Sequence, residues 1–132
     1  MCDCPPSERE PAIRVLAMPA DTNAAGDIFG GWLMAQADIA GSIEAHRRAR
    51  GRVVTVAVHE FRFLKPVYVG DLVSFYTTIL RIGNSSIRVG VTAWAERERG
   101  RFECEQVAEA ELTYVAIDDQ RRPRTVDPHP AG

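Results

Sequence analysis

The sequence predicts an α+β domain in which a curled, five-stranded antiparallel sheet wraps around one long central helix. Two observations support this fold class. A polar loop that contains glycine runs into an apolar, alanine-rich stretch of helical length. After that stretch, runs rich in β-branched and aromatic residues alternate with turn residues, which is typical of successive antiparallel strands. Because a sheet and a helix each bury one face, we expect the two to pack as two layers.

Chain length and composition are those of one ordinary domain. Of the 132 residues, 45% are apolar and 26% are charged, and the formal net charge is -2. The weak net charge argues against nucleic-acid binding. No apolar run reaches the roughly 18 residues that a membrane helix needs, and the acidic first residues do not resemble a signal peptide. We therefore expect a cytoplasmic protein without nucleic-acid or membrane partners.

The two ends of the chain are expected to differ from its middle. Their composition predicts a disordered leader at residues 1–10 and a flexible tail at residues 127–132, which leaves residues 11–126 as the single domain. Cys2 and Cys4 lie in the leader, so we expect reduced thiols. The scattered histidines and the single Cys-x-Cys pair do not make up a metal site, so the sequence predicts neither a metal nor a cofactor.

Local signals place the first elements. A short strand is predicted at residues 13–17. The helix is expected to begin at Gly30 or Gly31 and to end near Arg50. Gly51 is expected to take the left-handed conformation that commonly follows a helix.

The sheet is completed by strands after the helix. They are predicted at residues 53–63, 72–82, 86–97 and 101–117. Turn residues such as glycine, asparagine and proline mark the connections between them. The strand at 53–63 is expected to be a long unpaired edge. Such an edge favours pairing with a second chain, so we expect dimerisation through this strand.

Asp38 is the only charged residue among the sixteen between Asp27 and Glu44. A buried carboxylate costs free energy unless it is paired or hydrogen-bonded, so a lone aspartate in an apolar helix favours a functional site. Exposure on the solvent side of the helix is the alternative. Asp27 is interpreted as the N-cap of the helix, because aspartate is frequent at that position.

Several motifs resemble those of one known family. They are LAMP (16–19), DTNA (21–24), GDIFGGW (26–32) and MAQAD (34–38), and further on GRVVTV (51–56), FLKPV (63–67), VGD (69–71), SSI (85–87) and YVA (114–116). Over roughly residues 13–125 the chain is similar to the hotdog-fold acyl-CoA thioesterases of the YciA type. One difference is Phe29, since relatives often carry histidine before the paired glycines.

This resemblance implies an enzyme that hydrolyses acyl-CoA to a carboxylic acid and coenzyme A. It also implies dimers, often assembled as trimers of dimers, whose paired helices lie beneath a continuous sheet and whose active sites lie between subunits. Catalysis is implied by an acid on the helix and by an asparagine in the preceding loop of the opposite subunit. These two residues correspond to Asp38 and Asn23.

Thioester hydrolysis requires an activated water or an attacking carboxylate, and a site for the negative carbonyl oxygen. Asp38 is suited to act as base or as nucleophile, and the sequence does not choose between them. The N–H of Gly31, or that of Gly30, is suited to bind the oxyanion at the helix start. Asn23 is able to orient water or to donate to the carbonyl, with a turn-forming asparagine as the alternative.

The phosphates of coenzyme A call for arginine, lysine or loop N–H groups. The candidates are Lys65, Arg81, Arg88, the turn at residues 83–86 and the basic cluster at residues 121–124. Among them Ser85, Ser86 and Arg88 are the predicted contacts, with solvated surface residues as the alternative. Thr55 is expected to lie close to the thioester, although a threonine in a strand needs no such explanation.

Three other functions are compatible with parts of this pattern. An enoyl-CoA hydratase would need an aspartate and histidine pair that the motifs do not contain. A non-catalytic acyl-CoA sensor would use the same pocket without hydrolysis. A thioesterase for acyl groups on carrier proteins would differ only in its substrate.

Overall fold

Five strands, one α-helix and a short 3-10 turn make up the fold of residues 9–98 and 102–127, which are the residues that the computed structural model describes. In chain order the elements are β1 (Ile13–Leu16), the 3-10 turn (Pro19–Asp21), α1 (Gly30–Ala49), β2 (Val53–Phe63), β3 (Leu72–Ile82), β4 (Ser86–Glu98) and β5 (Phe102–Ala116). Each predicted element therefore forms, to within about one residue at either end. Residues 1–8 of the expected leader, which include both of its cysteines, and residues 128–132 of the expected tail lie outside the described ranges.

All neighbouring strands pair antiparallel, in the order β1-β3-β4-β5-β2. β3, β4 and β5 form a meander, because each pairs with the next strand in the chain. β2 lies beside β5 at one edge of the sheet, and β1 lies beside β3 at the other edge. The predicted α+β architecture is confirmed, and β2 is the edge strand that the sequence indicates.

The helix packs on one face of the sheet through small residues. Along β4 the buried residues are Ile87, Val89, Val91, Ala93 and Ala95, which alternate with less buried ones. On α1 the buried residues are Leu33, Ala37, Ala40, Gly41, Ala45 and Ala49. These small side chains let the helix backbone approach the sheet. At Gly41 the approach is close enough that a Cβ atom would overlap with the hydroxyl of Tyr114.

The C-terminal end of α1 differs from the prediction. Arg50, not Gly51, takes the left-handed conformation, with φ of 53°, and its N–H donates to the carbonyl oxygen of His46. Gly51 is needed for a steric reason, since a Cβ there would lie 2.7 Å from Nη2 of Arg124. That nitrogen donates to the carbonyl oxygen of Ala49 at 2.8 Å and so satisfies a group left free at the helix end.

A buried ion pair holds the connection between β2 and β3. Nε and Nη2 of Arg97 donate to Oδ1 and Oδ2 of Asp71 at 2.9 and 2.6 Å, and Asp71 is fully buried. Nη1 of Arg97 donates to Glu105 at 3.0 Å. In the same connection, the carbonyl oxygen of Val67 accepts a hydrogen bond from the N–H of Ile28 at 2.9 Å. The connection is thereby fixed against the loop that precedes α1.

Candidate active site

The carboxylate of Asp38 is held by two hydroxyl groups. Oγ1 of Thr55 donates to Oδ1 of Asp38 at 2.7 Å. The hydroxyl of Tyr114 lies 3.1 Å from the same Oδ1 and 2.9 Å from the carbonyl oxygen of Asp38. Oδ2 accepts no hydrogen bond from the described residues, and Asp38 is half-buried. The carboxylate is therefore oriented through one oxygen while the other stays available.

Sheet register explains why these two hydroxyls meet at one carboxylate. Thr55 on β2 and Tyr114 on β5 are directly paired across the strands, so their side chains lie on the same face of the sheet, towards α1. Tyr114 is fully buried, and Gly41, three residues after Asp38, leaves room for its hydroxyl. Burial, followed by the nearby charge of Asp38 and the hydrogen bond to it, raises the pKa of Tyr114 far above its usual range. Tyr114 therefore remains a neutral donor.

Tyr114 is a site residue that sequence reasoning missed. It entered the sequence argument only as part of the last predicted strand and of the YVA motif. The signal that would have found it is the pairing of β2 with β5, because that register sets it opposite Thr55. The contact joins residues 76 positions apart, and local periodicity carries no such information.

The start of α1 presents two backbone donors. Phe29, not Asp27, is the N-cap, and no side chain caps the first turn. The N–H groups of Gly30 and Gly31 have no acceptor within the described ranges, as expected at an uncapped helix start. Gly31 is exposed, and a Cβ there would find no atom within 4 Å. The geometry at Gly31 is open enough for a ligand oxygen to approach its N–H.

Asn23 has a structural role in the loop before α1. Its side-chain Oδ1 accepts hydrogen bonds from the N–H groups of Ala25 at 2.9 Å and Asp27 at 3.2 Å. Because backbone N–H groups only donate, the oxygen position of this amide is fixed. The amide nitrogen donates no bond to any residue that the structure describes. The side-chain oxygen of Asn23 therefore stabilises the turn, as the turn-forming alternative predicts, and the amide nitrogen is available to another partner.

A single chain does not bring the predicted catalytic residues together. Asn23 and Gly30 line a cleft of about 320 Å³ formed with residues 63–67, and Asp38 is not part of it. Asp38 follows Gly31 by seven residues on α1, which places the two roughly 10 Å apart along the helix axis. That separation is too long for both to contact one thioester carbon.

The predicted phosphate contacts lie elsewhere. Ser85 lies in the turn that joins β3 and β4, and Ser86 is the first residue of β4. Their carbonyl oxygens accept hydrogen bonds from the N–H groups of Ala116 and Gly83, respectively. Arg88 alternates with the buried residues of β4, so its side chain lies on the face of the sheet away from α1. There its Nε lies 2.8 Å from Oε1 of Glu111. In the described ranges these three residues form no hydrogen bond or ion pair with Asp38 or Asn23.

Within residues 9–98 and 102–127, no group of three or more histidine, cysteine, aspartate or glutamate side chains is positioned to hold a metal ion. In the same ranges, no helix is both long and apolar enough to cross a membrane.

Comparison with known proteins places the fold and site in one family. The model of the thioesterase superfamily matches residues 25–101, more than half of the chain. The chain therefore belongs to the thioesterase superfamily. Within it, the chain is 46% identical to the acyl-CoA thioester hydrolase YciA of Escherichia coli over 116 residues, 86% of this chain and 88% of that protein.

Solved structures give the same result. Cj0915 of Campylobacter jejuni, a hexameric hotdog fold thioesterase, matches with a TM-score of 0.88 and 37% identity over 92% of this chain and 93% of its own. The acyl-CoA hydrolase of Staphylococcus aureus, solved with butyryl coenzyme A and coenzyme A, matches with a TM-score of 0.78 and 32% identity over 86% and 68%. The hotdog fold is thereby established, and acyl-CoA thioester hydrolysis is the activity for which the relatives are named.

The Staphylococcus aureus hydrolase has also been solved as alanine variants of one asparagine, one aspartate and one threonine. In that protein the three substituted positions are separated by 15 and 17 residues. Asn23, Asp38 and Thr55 are separated by the same 15 and 17 residues.

Proposed function

We propose that this chain hydrolyses acyl-CoA thioesters to a carboxylic acid and coenzyme A, at a site completed by a second subunit. The observation that carries the proposal is the anchored carboxylate of Asp38, whose Oδ1 is held by Thr55 and Tyr114 while Oδ2 is open. Anchoring one oxygen makes Oδ2 the reacting atom. The matching spacing of the substituted residues in the Staphylococcus aureus hydrolase supports the choice of residues.

Two chemical routes start from Oδ2. As a general base, Oδ2 takes a proton from water while the water oxygen bonds to the thioester carbon, and the C–S bond then breaks. As a nucleophile, Oδ2 itself bonds to that carbon and expels the thiolate, and water then cleaves the resulting anhydride. Either route releases a thiolate whose conjugate thiol has a pKa of about 8.5, so no strong acid is needed. Thr55 and Tyr114 stabilise the ionised carboxylate in both.

We assign to the partner subunit the groups that bind the carbonyl oxygen of the substrate and the oxyanion formed from it. Because Gly31 and Asn23 lie at the helix start, far from Asp38 of the same chain, the second subunit has to supply them to this site. The N–H of Gly31, assisted by that of Gly30, would bind the oxyanion. The amide nitrogen of Asn23 would donate to the carbonyl, since its oxygen is used by the loop.

A second copy of the chain is also favoured by the exposed apolar residues near this site. On α1, Met34 is 38% and Ile39 is 47% exposed, and on the free edge of β2, Val56 is 54% and Val58 is 44% exposed. Pairing of two β2 edges would cover the backbone groups of the edge and these side chains together. Since Cj0915 is hexameric, we further propose that such dimers assemble as trimers of dimers.

The experiment is an assay of free thiol release from several acyl-CoAs. Asp38→Asn is expected to lower kcat by at least about 100-fold, the usual range for loss of a general base or nucleophile. Asp119→Asn, the same chemical change at an exposed position, serves as the matched control and should retain activity. Full turnover by Asp38→Asn would refute the assignment. Binding of acyl-CoA without thiol release by the unaltered protein would favour the non-catalytic sensor instead.

A further inference from the structure

A groove of about 570 Å³ lies between the C-terminal half of α1 and the start of β2. Four basic side chains line it, those of His46, Arg47, Arg52 and Arg121, and no carboxylate of residues 9–98 and 102–127 does. The remaining lining is apolar apart from one serine. The groove is therefore a concave surface with an excess of positive charge.

Carboxylates in the described ranges do not neutralise the charges of the groove. In the part of the chain that the structure describes, Arg47, Arg52 and Arg121 have no carboxylate within ion-pair distance. By contrast, Arg48, the neighbour of Arg47 in sequence, forms an ion pair with Asp127 at 2.7 Å. Guanidinium groups that line one groove without a counter-charge repel one another, and a bound anion would relieve that repulsion.

The position of the groove relative to Asp38 indicates which anion it takes. Ser42 in the lining follows Asp38 by one helical turn, and Val54 in the lining directly precedes Thr55. His46 lies eight residues beyond Asp38, roughly 12 Å further along the helix axis. One end of the groove is thus next to the reacting carboxylate, and its basic residues lie towards the other end. A long substrate with a reactive group at one end and phosphates at the other matches this arrangement.

We propose that the groove binds the phosphate-bearing end of coenzyme A, with Arg52 and Arg121 as the principal contacts and Arg47 at the rim. The planar guanidinium suits phosphate oxygens because it donates two parallel hydrogen bonds. This assignment rests on the proposed function. The sequence prediction chose Ser85, Ser86 and Arg88 and kept the cluster that contains Arg121 as a further candidate, whereas Arg47 and Arg52 were not among its candidates.

The test compares two substrates that share the acyl-pantetheine thioester, of which only acyl-CoA carries the phosphorylated nucleotide. Hydrolysis of an acyl-CoA and of the corresponding acyl-pantetheine would be measured for the unaltered protein, Arg52→Gln, Arg121→Gln and the double variant. Each single change is expected to raise KM for acyl-CoA about 10-fold, the usual effect of losing one hydrogen bond to a charged group. KM for acyl-pantetheine and kcat for both substrates should change less than about twofold. Arg14→Gln is the matched control, because Arg14 is exposed on β1 at the opposite edge of the sheet.

Ionic strength provides an independent measurement. Screening should raise KM for acyl-CoA in the unaltered protein and should have a smaller effect in the double variant. An unchanged KM in the double variant would overturn the proposal, and so would an equal rise for both substrates, which would mean a structural role. Both outcomes leave thioester hydrolysis intact. They are therefore distinct from failure of the proposed function, in which neither the unaltered protein nor any variant would release thiol.

Discussion

At the scale of single residues, the site depends on a tyrosine that the reaction does not consume. The fully buried hydroxyl of Tyr114 shares its one proton between the carbonyl oxygen of Asp38 at 2.9 Å and Oδ1 of Asp38 at 3.1 Å, and Thr55 donates to the same Oδ1. Two donors on one oxygen fix the rotation of the carboxylate, so the free oxygen is presented in one direction. We assign Tyr114 as a positioning residue and not as a catalytic one, because it lies behind Asp38 and is closed off from solvent.

Tyr114→Phe is expected to lower kcat about 10-fold, which corresponds to the loss of one hydrogen bond of about 1.4 kcal/mol from the transition state. KM should change little, because Tyr114 does not contact the substrate. Steady-state thiol release measures both constants. Tyr76→Phe, which removes a hydroxyl from another buried tyrosine on β3, is the control and should retain kcat. An unchanged kcat in Tyr114→Phe would show that the tyrosine only fills space.

The raised pKa of Tyr114 makes a second readout available for the same variant. The unfolded chain releases the phenolic proton near pH 10, whereas the folded chain retains it, so the stabilising contribution is complete below about pH 10 and is lost as the pH rises further. The free energy of unfolding should therefore fall more steeply above about pH 10 in the unaltered protein than in Tyr114→Phe. Denaturant unfolding at several alkaline pH values measures this difference, and parallel slopes would contradict it.

At the scale of the elements, a buried ion pair fixes the position of the connection between β2 and β3. Asp71 is fully buried, and only 9% of the Arg97 side chain is exposed. The pair holds the segment that carries Val67 against the loop before α1, and the cleft containing Asn23 lies between them. Loss of this ion pair would therefore displace the backbone of the segment that lines the cleft containing Asn23.

Asp71→Asn is expected to lower the free energy of unfolding by about 3 to 5 kcal/mol, because it leaves the charge of Arg97 buried without its full counter-charge. Chemical denaturation provides the measurement. Glu109→Gln is the comparison, since its ion pair with Arg62 is largely exposed and is expected to contribute less than about 1 kcal/mol. A similar small loss in both variants would mean that the Asp71 pair is not a structural anchor.

Sequence patterns predicted the elements well and the long-range contacts poorly. The alternation along β4 and the small residues of α1 set the fold, because burial of one face imposes those periodicities directly. The predictions for the helix ends were wrong. Phe29 and not Asp27 is the N-cap, and Arg50 and not Gly51 takes the left-handed conformation, since tertiary contacts such as that of Arg124 decide the local conformation at a helix end. The environment of Asp38 depends on strand register, which a single sequence does not specify.

At the scale of the whole molecule, the proposed site requires two copies of the chain. Each dimer would contain two equivalent sites, and each site would take Asp38 from one subunit and Asn23 from the other. This arrangement makes the composition of the site testable without any ligand structure.

Co-expression of two inactive variants, Asp38→Asn and Asn23→Ala, is expected to restore activity. Half of randomly formed dimers combine the two variants, and each of these contains one intact site, so about a quarter of the sites should be active. Thiol release by the purified mixture gives the measurement, with each variant alone as the control. If both residues acted within one chain, no combination would contain an intact site and the mixture would stay inactive.

The contact between Arg124 and the end of α1 has a consequence for shortened forms of the protein. Arg124 comes after the last strand, yet it supplies the donor for the carbonyl oxygen of Ala49. Truncation ahead of Arg124 would therefore let the last turn of α1 fray, and that turn borders the groove that carries Arg47. Weaker retention of coenzyme A by a truncated protein would then reflect a less ordered end of α1, because Arg124 does not itself line the groove.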